Sequence, residues 1–120
     1  MLKACLLTPE LSHEIESAHK ETIELLKELC AIPAPSHHEE RRAEFVRNWF
    51  ESHGLSAEID DAKNVRCGFA LDEYQDIVVI MAHMDTVFPD MAPMTIQEKD
   101  NRLYCPGVGD VTANLAGMMV

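Results

Sequence analysis

Residues 77–81 read Ile-Val-Val-Ile-Met, an apolar run with no polar residue inside it. A run this short is a strand rather than a helix, and without alternation it has to be covered on both faces. The expected fold class is therefore α/β, with a three-layer α/β/α arrangement around a central strand. The sequence ahead of the run supplies covering layers. Thr8 and Pro9 have the residue types of an N-cap and a first helical position. Leu11, Ile15, Ala18, Leu25, Leu26 and Leu29 then recur at helical spacing, until Pro33 and Pro35 end the pattern near Ile32. Ser36 and Glu39 have the S-x-x-E spacing of a capping box and predict a second helix. Its apolar face carries Ala43, Val46, Trp49 and Phe50, and Gly54 stands where a helix-terminating glycine belongs. His37 and His38 are placed in the first turn of that helix as two exposed polar residues. Residues 55–59 and 65–69 read as short strands, the second alternating apolar and polar positions. There is no internal repeat and no low-complexity linker, so residues 1–120 are one unit.

Charge and cysteine usage narrow the function classes. Ten Lys and Arg against 21 Asp and Glu give a net charge of −11. Such a chain repels phosphate backbones and anionic lipid, which argues against nucleic-acid and membrane partners. No apolar run approaches the roughly 20 residues that span a bilayer. The apolar N-terminus, residues 1–7, lacks the length and cleavage site of a signal peptide. Cys5, Cys30, Cys67 and Cys105 are widely and irregularly spaced, with no CxxC pair. That pattern fits free thiols in a reducing, cytoplasmic setting better than a disulfide framework or a Cys-rich zinc site.

Two segments carry candidate chemistry. The first, Ala-His-Met-Asp-Thr-Val at 82–87, follows directly on the apolar run. In open α/β sheets ligands bind at the carboxyl ends of strands. In extended chain, His83 and Asp85 point to the same side. Asp85 is then placed to hold one ring nitrogen of His83 and leave the other for a metal ion. The alternative is structural, a strand-end histidine capped by its neighbour. The second segment, Pro-Gly-Val-Gly-Asp-Val-Thr at 106–112, combines a glycine turn, a carboxylate and a small-residue helix start. Asp110 at that helix mouth is a candidate ligand bridging two cations. It is equally a candidate N-cap, unless Thr112 caps instead.

The order of these features, strand, His-x-Asp-Thr-Val, loop, Gly-x-Gly-Asp, helix, resembles the co-catalytic di-zinc exopeptidase and amidohydrolase family. That family includes acetylornithine deacetylase, succinyl-diaminopimelate desuccinylase, aminoacylase, carboxypeptidase G and peptidase T. The resemblance extends to the leading helix with Leu25, Leu26 and Leu29, the Ile32-Pro33 step and the Ser36-x-x-Glu39 segment. It implies that His83 ligates one zinc ion, that Asp85 is the catalytic-site carboxylate orienting it, and that Asp110 bridges two zinc ions. A cis peptide at Asp110–Val111 is implied as well, and Val111 departs from the acidic residue of the peptidase-like branch. Cobalt or manganese can stand for zinc with such donors.

The implied activity is hydrolysis of an amide bond in short peptides or N-acyl amino acids. The glutamate base and the remaining ligands are expected beyond Val120, because the chain looks like the N-terminal part of the catalytic domain. On that expectation the 120 residues alone are inactive. A non-catalytic fragment that self-associates through exposed core surface, as a homo-oligomer, is the alternative.

Overall fold

The computed structural model describes residues 8–68 and 76–120. Helix α1 (Pro9–Ala31) opens on Thr8, whose Oγ1 accepts from the Leu11 N–H at 3.2 Å. It stops where Ile32 turns extended ahead of Pro33. Its apolar stripe is only half used. Leu25, Leu26, Leu29 and Cys30 are buried, whereas Leu11 and Ile15 stay exposed. Helix α2 (Glu40–Ser52) ends on Gly54, at φ 78°. There the Gly54 N–H donates to the Glu51 carbonyl and the Leu55 N–H to the Phe50 carbonyl, at 3.0 Å each. This pair of reverse bonds satisfies two end carbonyls, and glycine takes the left-handed geometry without steric cost.

Two antiparallel hairpins follow. Strand β1 (Ala57–Ile59) pairs with β2 (Val65–Cys67), and β3 (Gln97–Lys99) pairs with β4 (Arg102–Tyr104). The β3–β4 turn is Asp100-Asn101, with both residues at positive φ, the geometry a two-residue hairpin connection requires. Helix α3 (Ala113–Met119) lays Leu115, Ala116 and Met119 against the buried end of α1, with Val46 of α2 closing the cluster.

The architecture departs from expectation at three places. Residues 77–81 are not a covered central strand: Val78 is 92% and Met81 84% exposed. Among the described residues no strand lies beside this run, since each hairpin pairs only within itself. The described chain therefore mixes helices with small sheets. Second, α2 starts at Glu40, so Ser36 is not its N-cap, and His37 precedes the helix at φ 73°. Neither bond of the capping box forms: the Glu39 carboxylate accepts from the His37 N–H at 2.6 Å, and the Ser36 N–H donates to the Thr86 carbonyl. Third, the strand at 65–69 is limited to Val65–Cys67, and Phe69 lies outside the described residues.

Among the described residues the largest fully buried side chain is Arg42, on α2. Its guanidinium donates to the Ile32 carbonyl from Nε (3.2 Å) and Nη2 (2.5 Å), and to the Met84 carbonyl from Nη1 (2.7 Å). Burial pulls its pKa down, while the charge of Asp85 works in the opposite direction. The planar fork thus joins the end of α1, the start of α2 and the segment at 84. Arg42→Ala strands two carbonyls and is expected to cost about 2–5 kcal/mol in urea unfolding. Arg42→Lys is expected to recover only part of that, because an ammonium cannot span both carbonyls in the same way. An Arg42→Ala protein as stable as the parent would contradict this reading.

Candidate functional site

Asp85 sits between two fixed points. The Met84 carbonyl on one side accepts from Arg42. Thr86 on the other side is bridged in parallel fashion to Pro35: its N–H donates to the Ala34 carbonyl at 2.8 Å and its carbonyl accepts from the Ser36 N–H at 3.3 Å. Between these anchors the two oxygens of the Asp85 carboxylate take different partners. Oδ2 accepts from the Ser36 hydroxyl at 2.5 Å, and Oδ1 lies 3.0 Å from His83 Nδ1. The Asp85 backbone carbonyl is also within 3.2 Å of that nitrogen. The Ser36 hydroxyl bond, assisted by the neighbouring imidazole, holds the Asp85 carboxyl below the usual carboxylate range despite partial burial. At neutral pH Asp85 is therefore an acceptor only. Nδ1 of His83 faces two acceptors at hydrogen-bonding distance, so in the neutral ring this geometry favours the proton on Nδ1 and the lone pair on Nε2.

Nε2 points at Asp110, with 3.6 Å between it and Oδ1. Asp110 is carried by the irregular turn Val108–Thr112, where its own φ/ψ of −135°/88° departs from helical values and the Asp110–Val111 peptide is cis. Neither this turn nor α3 has a side-chain capping bond, so Asp110 does not act as an N-cap. Its side chain is 88% exposed. The turn reaches His83 through Gly107, at φ 76°. A Cβ on Gly107 would stand 2.8 Å from Thr86 Cγ2, so only glycine permits this approach and this conformation. Gly109 has open space around it and is under no such constraint.

The structure thus brings together His83, Asp85 and Asp110, from segments 25 or more residues apart in sequence. His83 Nε2 and an Asp110 carboxylate oxygen face each other across 3.6 Å, a gap too long for a hydrogen bond. Two donors about 2.0–2.2 Å from one tetrahedral zinc ion stand roughly 3.4 Å apart, close to the gap seen here. The donor set, one imidazole and one carboxylate, is chemically fit for zinc, cobalt or manganese. Among the described residues no group of three or more His, Cys, Asp or Glu side chains is arranged as a complete metal cage. The buried Cys30 thiol is a poor nucleophile. Burial, reinforced by the adjacent Cys105 sulfur, pushes the Cys30 thiol up to about 12.

Two residues that support this site were not read from the sequence as functional. Ser36 was expected to cap a helix, and the only hint of its role is its place in the segment that the resemblance covers. Arg42 interrupts the apolar face of α2, directly before Ala43, and that interruption was the available signal.

No family model matches the chain. It is 34% identical over 67 residues to the cytosol non-specific dipeptidase of Escherichia coli, covering 53% of this chain and 14% of that protein. It is 35% identical over 98 residues to a protein of Pyrococcus furiosus provisionally named as a LysW-lysine/LysW-ornithine hydrolase, covering 81% of this chain and 28% of the relative. Against the LysW-lysine hydrolase of Deinococcus radiodurans the identity is 35% over 78 residues, 62% of this chain and 20% of the relative. The chain spans less than a third of the length of each of these relatives. Over the matched stretches it is similar to enzymes whose names are those of peptidases and hydrolases.

Proposed function

We propose that the chain contributes part of the active site of a metal-dependent amide hydrolase of the di-zinc exopeptidase type, acting on short peptides or N-acyl amino acids. The observation that carries the reading is His83 Nε2 standing 3.6 Å from the Asp110 carboxylate, with the other ring nitrogen held by Asp85. The similarity to a dipeptidase and to LysW-lysine hydrolases supports the reaction class. When bound, a divalent ion supplies a water of lowered pKa and a Lewis acid for the scissile carbonyl.

The work of this chain's own residues follows from their geometry. His83 offers Nε2 as a neutral donor. Asp85 keeps the proton on Nδ1 and stabilises positive charge drawn onto the ring. Asp110 supplies negative charge on an exposed carboxylate that would help hold the metal. The anchors at Met84 and Thr86 fix the backbone on either side of Asp85, and the Asp85 carboxylate holds the ring.

Zinc titration by calorimetry is expected to show binding to the chain that disappears in the His83→Ala, Asp110→Ala double variant. In the intact enzyme Asp110→Ala is expected to abolish turnover. Zinc affinity unchanged by the double substitution both in this chain and in the intact enzyme, or substantial activity in Asp110→Ala, would refute the assignment.

A second reading is favoured by the exposure of residues 77–81. Such an extended apolar segment offers unpaired backbone groups and apolar side chains to another copy. On this reading the 120-residue chain self-associates, and light scattering shows a mass that rises with concentration. Val78→Lys with Ile80→Lys is expected to lower that mass; a monomer at all concentrations would rule the reading out.

A further inference from the structure

We infer that Ser36 is a positioning residue for His83: its hydroxyl pins one oxygen of Asp85 and thereby fixes which ring nitrogen of His83 is left to face Asp110. Its purpose rests on the reading of His83 as a metal ligand, but the positioning itself is a property of the chain alone.

The hydroxyl has no competing task. Helix α2 begins four residues later, at Glu40, without a side-chain cap. The single O–H proton of Ser36 is given to Asp85 Oδ2, 49 residues away in sequence. A bond from a neutral hydroxyl to a carboxylate is among the stronger hydrogen bonds available to a side chain. The terminal torsion of an aspartate is broad, so a carboxylate held at one oxygen only can turn. With Oδ2 held by Ser36, Oδ1 is presented to His83 Nδ1 at 3.0 Å.

Ser36 is itself held from both sides. Its N–H donates to the Thr86 carbonyl. The carbonyl of the next residue, His37, accepts from Lys63 Nζ at 2.9 Å, and Lys63 also contacts the Glu40 carboxylate. Lys63 lies in the β1–β2 turn at φ 68°. The β1–β2 hairpin, the loop before α2 and the segment at 83–86 are thereby linked in one chain of contacts ending at the imidazole.

The order of that chain matters. The Asp85 side chain is 34% exposed, so water competes for its oxygens. Removing the Ser36 hydroxyl frees Oδ2 to be solvated, lets the carboxylate rotate and loosens the demand for a proton on Nδ1. Only the weaker contact to the Asp85 backbone carbonyl, at 3.2 Å, then still favours a proton on Nδ1, and the lone pair is less firmly reserved for the nitrogen facing Asp110.

The test reads the ring directly. The full chain, free of metal and labelled with 15N-histidine, is examined by long-range proton–nitrogen NMR at about pH 9, where an ordinary imidazole is neutral. In the parent protein His83 is expected to show a protonated Nδ1 and a bare Nε2. Ser36→Ala is expected to move the signals toward the Nε2-protonated form, and Ser36→Thr, which keeps the hydroxyl, to restore the parent pattern. A parent pattern unchanged in Ser36→Ala overturns the proposal. Cobalt titration separates this from the metal reading, with Ser36→Ala expected to weaken binding about 10–100-fold, as for other groups behind a ligand. A tautomer shift together with cobalt binding by the intact enzyme that His83→Ala leaves unchanged keeps the positioning role and refutes the metal role of His83.

Discussion

The buried guanidinium of Arg42 is the contact on which the remaining geometry depends. A charged side chain is seldom found fully buried without compensation. Here the compensation is two backbone carbonyls, Ile32 at the end of α1 and Met84 beside the candidate site. Both would otherwise be buried or half-buried acceptors without a helix or sheet partner to satisfy them. Because the fork is planar and rigid, the relative placement of those carbonyls is set by the shape of one side chain. The extended segment at 82–86 makes no sheet among the described residues. Arg42, together with the single parallel bridge at Pro35 and Thr86, holds it against the helices in place of a sheet.

The second half of the site is joined to the first by close approach rather than by hydrogen bonding. Gly107 meets Thr86 where a Cβ would collide, and this contact brings the Val108–Thr112 turn up to His83. Behind the turn, α3 is seated by Leu115, Ala116 and Met119 on the same cluster that receives Leu25 and Leu29 of α1. Core packing therefore positions Asp110, and polar backbone contacts position His83 and Asp85. A core substitution beneath α3 and a polar substitution at Arg42 would disturb opposite sides of the same 3.6 Å gap.

Features set by local chemistry were legible in the sequence. Thr8 and Pro9 begin α1, the prolines after Ile32 end it, and Gly54 closes α2 through its left-handed conformation. The juxtaposition of His83 with Asp85 follows from two-residue spacing in extended chain. Features set by tertiary partners were not legible. Residues 77–81 have the composition of a covered strand, but coverage belongs to neighbours, and among the described residues no strand supplies it. Ser36 and Glu39 match a capping box, yet Glu39 reaches the His37 N–H while Ser36 turns to a carboxylate far along the chain. The β3–β4 hairpin was missed although Asp100-Asn101 carries a usable signal, two adjacent residues tolerant of positive φ.

The exposure of the site explains how the chain tolerates two acceptors pointed at one another. In an interior of low dielectric, a lone pair and a carboxylate oxygen in mutual view would impose a desolvation cost with nothing to offset it. His83 is 52% and Asp110 88% exposed, so water solvates both and the repulsion is screened. The Asp85 side of the imidazole is arranged differently, with each carboxylate oxygen assigned a donor. One ring nitrogen is committed to Asp85 and the other is open to solvent and to Asp110, and on the proposed reading that open nitrogen is the one available to a metal ion.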